Sequence, residues 1–270
     1  TRLSDGRKVA IKVLRNVFGE RQGQAITRFH REIAVSKNFA HANVIRILDG
    51  GLLPNGQAFL AMDFLEGESL FARLMKGCLT TEEVIPIYLE LAEALDYIHA
   101  KGLVHRDIKP ANVWLCKDGR TVLLDFGLCF VSDITRITKT GNIVGTVATM
   151  APEQIQGVKV TPQTDIYSLG ATMYLATTGD PPYRIEDLML VGVGRQPRLI
   201  TPPCEQKDSV SEHLSGVIMK SIQVDAELRY QSAQELRAAL LDHGTPINDT
   251  IEVPPKIPPK TPKVQKRNYR

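Results

Sequence analysis

Three side chains with complementary chemistry lie close together in the stretch HRDIKPANVWL, which spans residues 105–115. Asp107 has a carboxylate that can accept a proton, Lys109 has a cationic amine, and Asn112 has an amide oxygen. Asp125 follows a short distance downstream, and carboxylate and amide oxygens are hard ligands that suit Mg²⁺. These residue types predict proton transfer beside a bound cation.

The flanking segments predict that this stretch is a loop held between rigid elements. From position 80 onward, apolar residues recur with helical spacing, and Gly102 is the predicted helix end. The apolar face consists of Val84, Ile87, Tyr88, Leu91, Leu95 and Ile98. Thr80 and Glu83 have the spacing of a capping box, which marks the start of this helix. Short strands are predicted near residues 113–116 and 121–124, and a loop between such elements suits catalysis.

The beginning of the chain is predicted to be rich in strands. Residues 8–14, KVAIKVL, predict a strand after an SDG turn, and two apolar runs around Asn55 and Gly56 predict a hairpin. Residues 20–39 carry a helical pattern. Lys12 stands in the middle of the first apolar strand, where a lysine taken alone is most often a solvent-facing edge residue.

Most of the remaining chain is predicted to be helical. Residues 165–178 are apolar nearly all round, which predicts a buried helix. A last helix is predicted to begin at Ser232 and to end at Gly244. Glu83 and Glu90 are predicted to lie on a solvated helix face. Strands followed by helices predict an α+β fold.

Charge and composition narrow the classes of function. The net charge is +3, and residues 244–270 hold six Lys or Arg and two acids, which leaves residues 1–243 at −1. This near-neutral body gives no case for nucleic-acid binding. The spacings of the four cysteines match neither a zinc site nor a redox pair, so we expect reduced thiols and a cytoplasmic location. No apolar run is long enough for a transmembrane helix.

Three motifs occur in a fixed order: HRDxKPxN at residues 105–112, DFG at 125–127 and APE at 151–153. Together they resemble the protein-kinase superfamily. The phrases TDIYSLGATMY and RYQSAQEL are most similar to bacterial, eukaryotic-like serine/threonine kinases. The chain is therefore expected to share the fold and chemistry of that family.

The resemblance implies a bilobal kinase-like fold over residues 1–243. A small β-rich N-lobe with the hinge would cover residues 1–65, and a larger helical C-lobe would cover residues 66–243. Residues 244–270 would form a flexible tail rich in Pro and Lys.

The same resemblance implies transfer of the γ-phosphoryl group of ATP to serine and threonine hydroxyls of proteins. Asp107 would accept the proton of the hydroxyl, and Lys109 would contact the γ-phosphate. Asn112 and Asp125 would bind Mg²⁺, with Mn²⁺ as the alternative cation.

A second set of residues is implied to bind the nucleotide: Ala10, Lys12, Glu32, Met62, Asp63, Leu65 and Trp114. Lys12 would grip the α- and β-phosphates and would be held by Glu32, which lies 20 residues further on. Met62 would be the gatekeeper of the adenine pocket. Backbone groups of Asp63 and Leu65 would bond the adenine edge.

Four residues are implied to regulate activity: Arg106, Thr138, Thr140 and Thr146. Arg106 would bind a phosphate on the activation loop, where Thr138 and Thr140 resemble paired autophosphorylation sites. The alternative is that both are unmodified loop threonines. Thr146, together with Lys109, marks serine/threonine rather than tyrosine kinases in this family.

Three further residues are implied to hold the structure together. Asp165 would anchor the loop around Asp107 through hydrogen bonds. Glu153 and Arg229 would form a buried ion pair.

The chain departs from the family pattern at several positions. Gly6 is the only glycine before Lys12, so we expect the glycine-rich phosphate loop to be missing, with weak ATP binding and low turnover. Ser36 stands where an apolar residue is usual, and Thr149 replaces an aromatic residue. Trp114 stands where a leucine commonly forms the floor of the adenine pocket.

These departures leave alternatives open. A catalytically weak or inactive kinase-like scaffold is the main one, and the intact Asp107, Asn112 and Asp125 oppose it. Self-association for autophosphorylation in trans is a second expectation. The tail is either a ligand for an SH3-like domain or a linker to a membrane segment, because in the bacterial kinases that the chain resembles a Pro-rich basic stretch often leads to a membrane helix. The chain begins with Thr rather than Met, which indicates a fragment of a longer parent protein.

Overall fold

Strands dominate the first part of the fold. The structure, a computed structural model, describes residues 6, 8–14, 33, 34, 36–125, 148–192 and 197–242. Three strands pair antiparallel in the order β1-β3-β2. They are β1 (Val9–Leu14), β2 (Ile47–Leu52) and β3 (Ala58–Asp63).

A tight turn joins β2 to β3, as predicted. Gly56 has a φ of +79°, a left-handed conformation that glycine adopts at little cost. The Leu53 N–H donates to the carbonyl of Gln57 over 2.7 Å, and the Asn55 side chain accepts the Gln57 N–H over 3.0 Å. The predicted hairpin is confirmed.

A second sheet lies between the first sheet and the helices. It consists of β4 (Gly67–Ser69), β5 (Val113–Cys116) and β6 (Thr121–Leu123), in that order. The Leu123 N–H donates to the Asn43 carbonyl over 2.9 Å, and the Ile45 N–H donates to the Leu123 carbonyl over 3.0 Å. The end of β6 is therefore tied to the segment that leads into β2.

Helices hold more of the described residues than strands do. They are α1 (Leu70–Leu74), α2 (Thr81–Ala100), α3 (Pro152–Ile155), α4 (Pro162–Thr178), α5 (Ile185–Gly192), α6 (Pro203–Gln206), α7 (Glu212–Ser221) and α8 (Ala233–Leu241). The described residues also include two 3₁₀ turns, at Pro110–Asn112 and Ala226–Leu228. Among the described residues, no helix combines the length and apolar character needed to cross a bilayer. The small sheet and the larger helical part confirm the predicted α+β fold.

Helix α2 begins and ends where the sequence predicts. Glu83 accepts the Thr80 N–H over 3.1 Å, and Gly102 has a φ of +73° just after the helix. The predicted apolar face is largely buried against the helical core. The prediction for Glu90 is wrong, because its half-buried carboxylate accepts the Thr121 N–H and so ties α2 to β6.

Helix α4 is the central helix and is buried along nearly its whole length, as predicted. Gly170 allows α7 to approach closely, since a Cβ at this position would lie 2.5 Å from the Cβ of Ser221. Helix α4 therefore packs closely against α7 in the core, and Asp165 lies in its first turn.

The last helix, α8, begins as predicted and ends earlier than predicted. Ser232 accepts the Glu235 N–H over 3.1 Å at the start. The helix ends at Leu241 because Asp242 takes an extended conformation with ψ of 93°. The prediction of an end at Gly244 is therefore wrong, and residues 243–270 lie outside the described ranges.

Candidate active site

A buried carboxylate fixes the loop that carries Asp107. Asp165, whose side chain is 0% exposed, accepts the His105 N–H on Oδ2 over 2.7 Å and the Arg106 N–H on Oδ1 over 2.8 Å. His99 Nε2 lies 2.8 Å from Oδ2 and donates to it, since a carboxylate oxygen accepts. The core helix α4 thus sets the backbone position of the loop.

The backbone at Arg106 has an unusual conformation. Its φ of +69° lies in the left-handed region, which costs a non-glycine residue of order 1–3 kcal/mol. Both sides of the residue are held, because its N–H donates to Asp165 and its carbonyl accepts Gln154 Nε2 over 2.8 Å. Such bonds from surrounding elements keep a strained residue in place.

The structure brings Asp107, Lys109 and Asn112 together. Lys109 Nζ lies 2.8 Å from Asp107 Oδ1, and Asn112 Nδ2 donates to Asp107 Oδ2 over 2.8 Å. The same Nδ2 group donates to the Asp107 carbonyl over 2.8 Å. Among the described residues, Lys109 thus contacts one oxygen of the Asp107 carboxylate and Asn112 donates to the other.

Lys12 forms an ion pair with Asp125. Its Nζ donates to Asp125 Oδ2 across the junction between β1 and the segment after β6. Asp125 has a φ of +56°, and the adjacent Leu124 N–H donates to the Asn112 carbonyl over 2.8 Å. The charge in the middle of an apolar strand is thus neutralised by an acid that lies beside the loop of Asp107. Glu32, the predicted partner of Lys12, lies outside the described residues.

The oxygen groups present fit a magnesium ion. Asn112 uses its NH₂ group on Asp107, which leaves Oδ1 for a cation. Among the described residues, Asp125 Oδ1 accepts no hydrogen bond. That part of the chain also contains no cluster of three or more His, Cys, Asp or Glu side chains placed to hold a metal. Mg²⁺ would therefore take its remaining ligands from phosphate oxygens and water, as is usual for this cation.

Several predicted nucleotide-binding residues line up on β1 and β3. Ala10 pairs with Met62 in the register of the two strands, and the Met62 side chain is buried. The Asp63 N–H already donates to the Arg46 carbonyl over 3.1 Å, so a ligand could use only the Asp63 carbonyl. Leu65 packs against the core just after β3.

Trp114 lies on β5, between Ser69 of β4 and Val122 of β6 in the sheet register. It packs against the core and is partly buried. Its indole N–H is buried and has no hydrogen-bond partner among the described residues. The indole is therefore held by apolar contacts rather than by a polar tether.

Arg229 and Glu153 form a buried ion pair below the site. Arg229 stacks 4.9 Å over the Tyr167 ring, and its side chain is 0% exposed. Its five N–H donors are all used, on Glu153 Oε1 (2.8 Å), Glu153 Oε2 (3.0 Å) and the carbonyls of Gln163 (2.9 Å), Gln223 (2.7 Å) and Val224 (3.0 Å). One guanidinium therefore joins α3, α4 and the segment before α8.

The ion pair also changes the acidity of Glu153. Burial acts to raise the pKa of this carboxyl, but the hydrogen bonds and the charge of Arg229 outweigh burial. The net result is a pKa below the ordinary value of 4.5. Glu153 is accordingly ionised at neutral pH, as an ion pair requires.

Two side chains at the site were missed as hydrogen-bond donors to the loop. Thr149 Oγ1 donates to the Ile108 carbonyl over 2.8 Å, and Gln154 Nε2 donates to the Arg106 carbonyl. The one available signal was a polar threonine in place of the usual aromatic residue. Nothing in the sequence marked Gln154, which simply follows the APE motif.

The remaining predicted residues cannot be placed. Thr138, Thr140 and Thr146 lie outside the described residues, as does Glu32. Their roles stay predictions.

Comparison with known proteins agrees with this geometry. A sequence model of the protein kinase domain matches residues 1–241. A probable serine/threonine-protein kinase of Clostridium acetobutylicum is 33% identical over 232 residues, which cover 85% of this chain and 35% of that protein. Serine/threonine-protein kinase PknB of Mycobacterium leprae is 30% identical over 263 residues, which cover 96% of this chain and 40% of that protein.

A third relative, PknB of Mycobacterium tuberculosis, is 30% identical over 264 residues, with the same two shares of 96% and 40%. The chain spans only 35% to 40% of the length of these curated relatives. The domain match nevertheless covers most of the chain. The chain therefore belongs to the protein kinase family.

Proposed function

We propose that the chain is an ATP-dependent protein serine/threonine kinase that transfers the γ-phosphoryl group to Ser and Thr hydroxyls. One observation carries this proposal. Asp107, Lys109 and Asn112 are hydrogen-bonded to one another in a single loop, and Asp125 lies beside them with Lys12 on its carboxylate. A proton acceptor, two cationic groups and two oxygen ligands are thus available in one place, and phosphoryl transfer requires this combination.

Each residue has a step to perform. Asp107 accepts the proton of the substrate hydroxyl and orients its oxygen, while Lys109 moves from Asp107 to the γ-phosphate. Lys12 contacts the α- and β-phosphates. Asn112 and Asp125 would hold Mg²⁺, which would neutralise negative charge on the phosphates. Both lysines are paired with carboxylates in the structure, so bound phosphate would compete for ammonium groups that already lie at the site.

The proposed substrate class rests on two residues that mark serine/threonine kinases in this family. Lys109 and Thr146 favour serine and threonine over tyrosine, and the named relatives are serine/threonine kinases. Met62, Asp63, Leu65 and Trp114 are proposed to surround the adenine. Residues 1–243 are proposed as the kinase domain, with the lobes meeting after residue 65.

The direct test is transfer of labelled phosphate. Purified chain with ATP labelled on the γ-phosphate and Mg²⁺ is expected to label itself or a Ser- and Thr-rich acceptor protein. Chelation of the cation should remove the label from both. Transfer that is absent from the wild type with Mg²⁺ and with Mn²⁺ would refute the proposal for this chain.

Regulation by phosphate on the activation loop is a further part of the proposal. After incubation with Mg-ATP, Thr138 or Thr140 should carry phosphate, because two added negative charges would find a partner in Arg106. Mass spectrometry of active protein is the measurement. An Asp107→Asn chain should be unmodified alone and modified when mixed with wild type, which indicates transfer in trans. Active protein without phosphate at either residue would remove this idea.

Trp114 gives a simple test of nucleotide binding. It is the only tryptophan, so intrinsic tryptophan fluorescence reports on this position alone. A non-hydrolysable ATP analogue should change that fluorescence, because Trp114 would pack against the adenine ring. A Trp114→Leu chain is the blank. An unchanged signal at saturating analogue would contradict a nucleotide site with Trp114 as its floor.

Partners and location complete the proposal. Protein substrates, self-association for phosphorylation in trans and an SH3-like partner of the Pro-rich tail follow from the family and from the tail composition. Cytoplasmic location is supported by Cys78, Cys116 and Cys204, which are unbonded in the described part of the chain. A tether to the membrane through a segment after the tail would be tested by fractionation of the parent protein.

A further inference from the structure

Three consecutive carbonyls around Asp107 each accept a hydrogen bond from a side chain. The Arg106 carbonyl accepts Gln154 Nε2, the Asp107 carbonyl accepts Asn112 Nδ2, and the Ile108 carbonyl accepts Thr149 Oγ1. All three distances are 2.8 Å. The bond from Asn112 belongs to the loop itself, whereas the bonds on either side come from one other segment.

That segment spans residues 149–154 and leads into α3. Thr149 is 2% exposed and Gln154 is 4% exposed, so neither hydrogen bond competes with water. The Gln154 side chain is fixed at both ends, because its Oε1 accepts the Ala151 N–H over 3.1 Å. Thr149 is β-branched and stiff, so its hydroxyl has few alternative positions.

The Gln154 bond holds the peptide group before Asp107, and the Thr149 bond holds the peptide group that joins Ile108 to Lys109. The peptide group directly after Asp107 is held by Asn112. The peptide group before Asp107 includes the carbonyl of Arg106, whose φ of +69° is unfavourable for any residue except glycine. Without Gln154, the Arg106 carbonyl is free to turn as the backbone relaxes. A turn of that peptide group would move the Asp107 carboxylate relative to Lys109 and Asn112.

We propose that Thr149 and Gln154 are positioning residues that hold Asp107 in its reactive orientation. The inference rests on the proposed kinase function. It also gives the segment that follows the predicted phosphorylation sites a direct route to the catalytic aspartate. A change in the position of residues 149–154 would alter two hydrogen bonds at the loop, without a change in the nucleotide contacts of Lys12 and Asp125.

The variants are Thr149→Val and Gln154→Met, which remove the donors and keep similar side-chain volumes. Because small displacements of reacting groups are costly, kcat should fall about 10- to 100-fold in each variant. KM for ATP should stay within about twofold, since the nucleotide contacts are elsewhere. Thr149→Ser keeps the hydroxyl donor that Thr149→Val removes, so its kcat should stay close to that of the wild type.

Thr172→Val is the matched control. Thr172 is 0% exposed and its hydroxyl donates to the Ser168 carbonyl over 2.7 Å within α4, away from the loop. The Thr172→Val variant loses a buried hydrogen bond from a threonine hydroxyl to a backbone carbonyl, as Thr149→Val does. Its melting temperature should fall by a similar amount, while its kcat should stay near that of the wild type.

Amide hydrogen exchange gives a readout that does not need turnover. Exchange in residues 105–109 should be faster in Thr149→Val and Gln154→Met than in the wild type, and unchanged in Thr172→Val.

Wild-type kcat in both test variants, or an equal loss of kcat in Thr172→Val, would overturn the proposal. If the wild type transfers no phosphate, the kinase proposal fails. Hydrogen exchange then decides whether the two residues hold the loop, and unchanged exchange in both variants overturns that inference.

Discussion

Replacement of Asp107 by Asn should lower the rate of phosphoryl transfer by about 100- to 10,000-fold, the range that a positioned proton acceptor contributes. The structure gives two reasons. An amide cannot take the proton of the hydroxyl. In addition, each Asp107 oxygen faces a donor, Lys109 on one side and Asn112 on the other, so the NH₂ of an asparagine must face one of them.

The measurement is steady-state transfer of labelled phosphate, together with a thermal melt that shows the variant is folded. Asp118→Asn is the matched control, because Asp118 is 54% exposed and its carboxylate pairs, within the described ranges, with Arg120 in a surface turn. It should keep wild-type turnover. Transfer that survives in the Asp107 variant at the wild-type rate would mean that a contaminating kinase does the work or that Asp107 is not the acceptor.

Replacement of Arg229 by Met should destabilise the fold by about 3–5 kcal/mol at neutral pH, the range expected when one partner of a buried ion pair is removed. The loss has several sources. Glu153 would keep a buried charge without a partner, and three backbone carbonyls would lose their donor. Urea unfolding monitored by circular dichroism would measure the change.

Arg120→Met provides the control for this variant. Arg120 pairs with Asp118, and both side chains are about half exposed, so the loss should be about 0–1 kcal/mol. An Arg229 variant with stability close to that of Arg120→Met would show that the buried pair is not important for the fold.

The effect of Arg229 should also depend on pH. In the wild type the pKa of Glu153 is lowered, so its ion pair stabilises the fold above the ordinary pKa of 4.5, and this contribution is lost as the pH falls through the lower, folded-state value. Without Arg229, burial still raises the pKa of the Glu153 carboxyl and only the hydrogen bonds from its own backbone N–H and from Thr164 still lower it, so the pKa is higher than in the wild type. The stability difference between wild type and Arg229→Met should therefore shrink as the pH falls towards and below the ordinary pKa of 4.5. A constant difference would contradict the pairing.

Local signals predicted much of the fold correctly. The capping box of Thr80 and Glu83, the stop at Gly102 and the turn at Asn55 and Gly56 depend on neighbouring residues, and each appears in the structure. The predicted end of α8 at Gly244 is three residues too late, because a glycine is a permissive stop and the backbone already leaves the helix at Asp242, whose N–H makes a last helical bond to the Ala238 carbonyl.

Contacts between distant segments were harder to predict. The motifs showed which residues belong together, yet they did not show that Lys12 bonds Asp125 directly, or that Glu90 accepts the Thr121 N–H. Bonds from Thr149 and Gln154 to backbone carbonyls were invisible for the same physical reason. A carbonyl is present at every residue, so only the tertiary arrangement selects the one that is used.

The burial of Asp165 has a consequence for how the two reactants would be located. The loop of Asp107 is positioned by a helix in the core, because Asp165 on that helix accepts hydrogen bonds from two backbone N–H groups of the loop and from His99. Lys12, which is proposed to bind the phosphates, is positioned by the small sheet, where its strand β1 pairs with β3. The group that would bind the substrate hydroxyl and the group that would bind ATP are therefore positioned by different parts of the fold. A shift of the sheet against the helices would change the distance over which the phosphoryl group is transferred. The orientation of the Asp107 carboxylate would stay the same, because the core helix sets it.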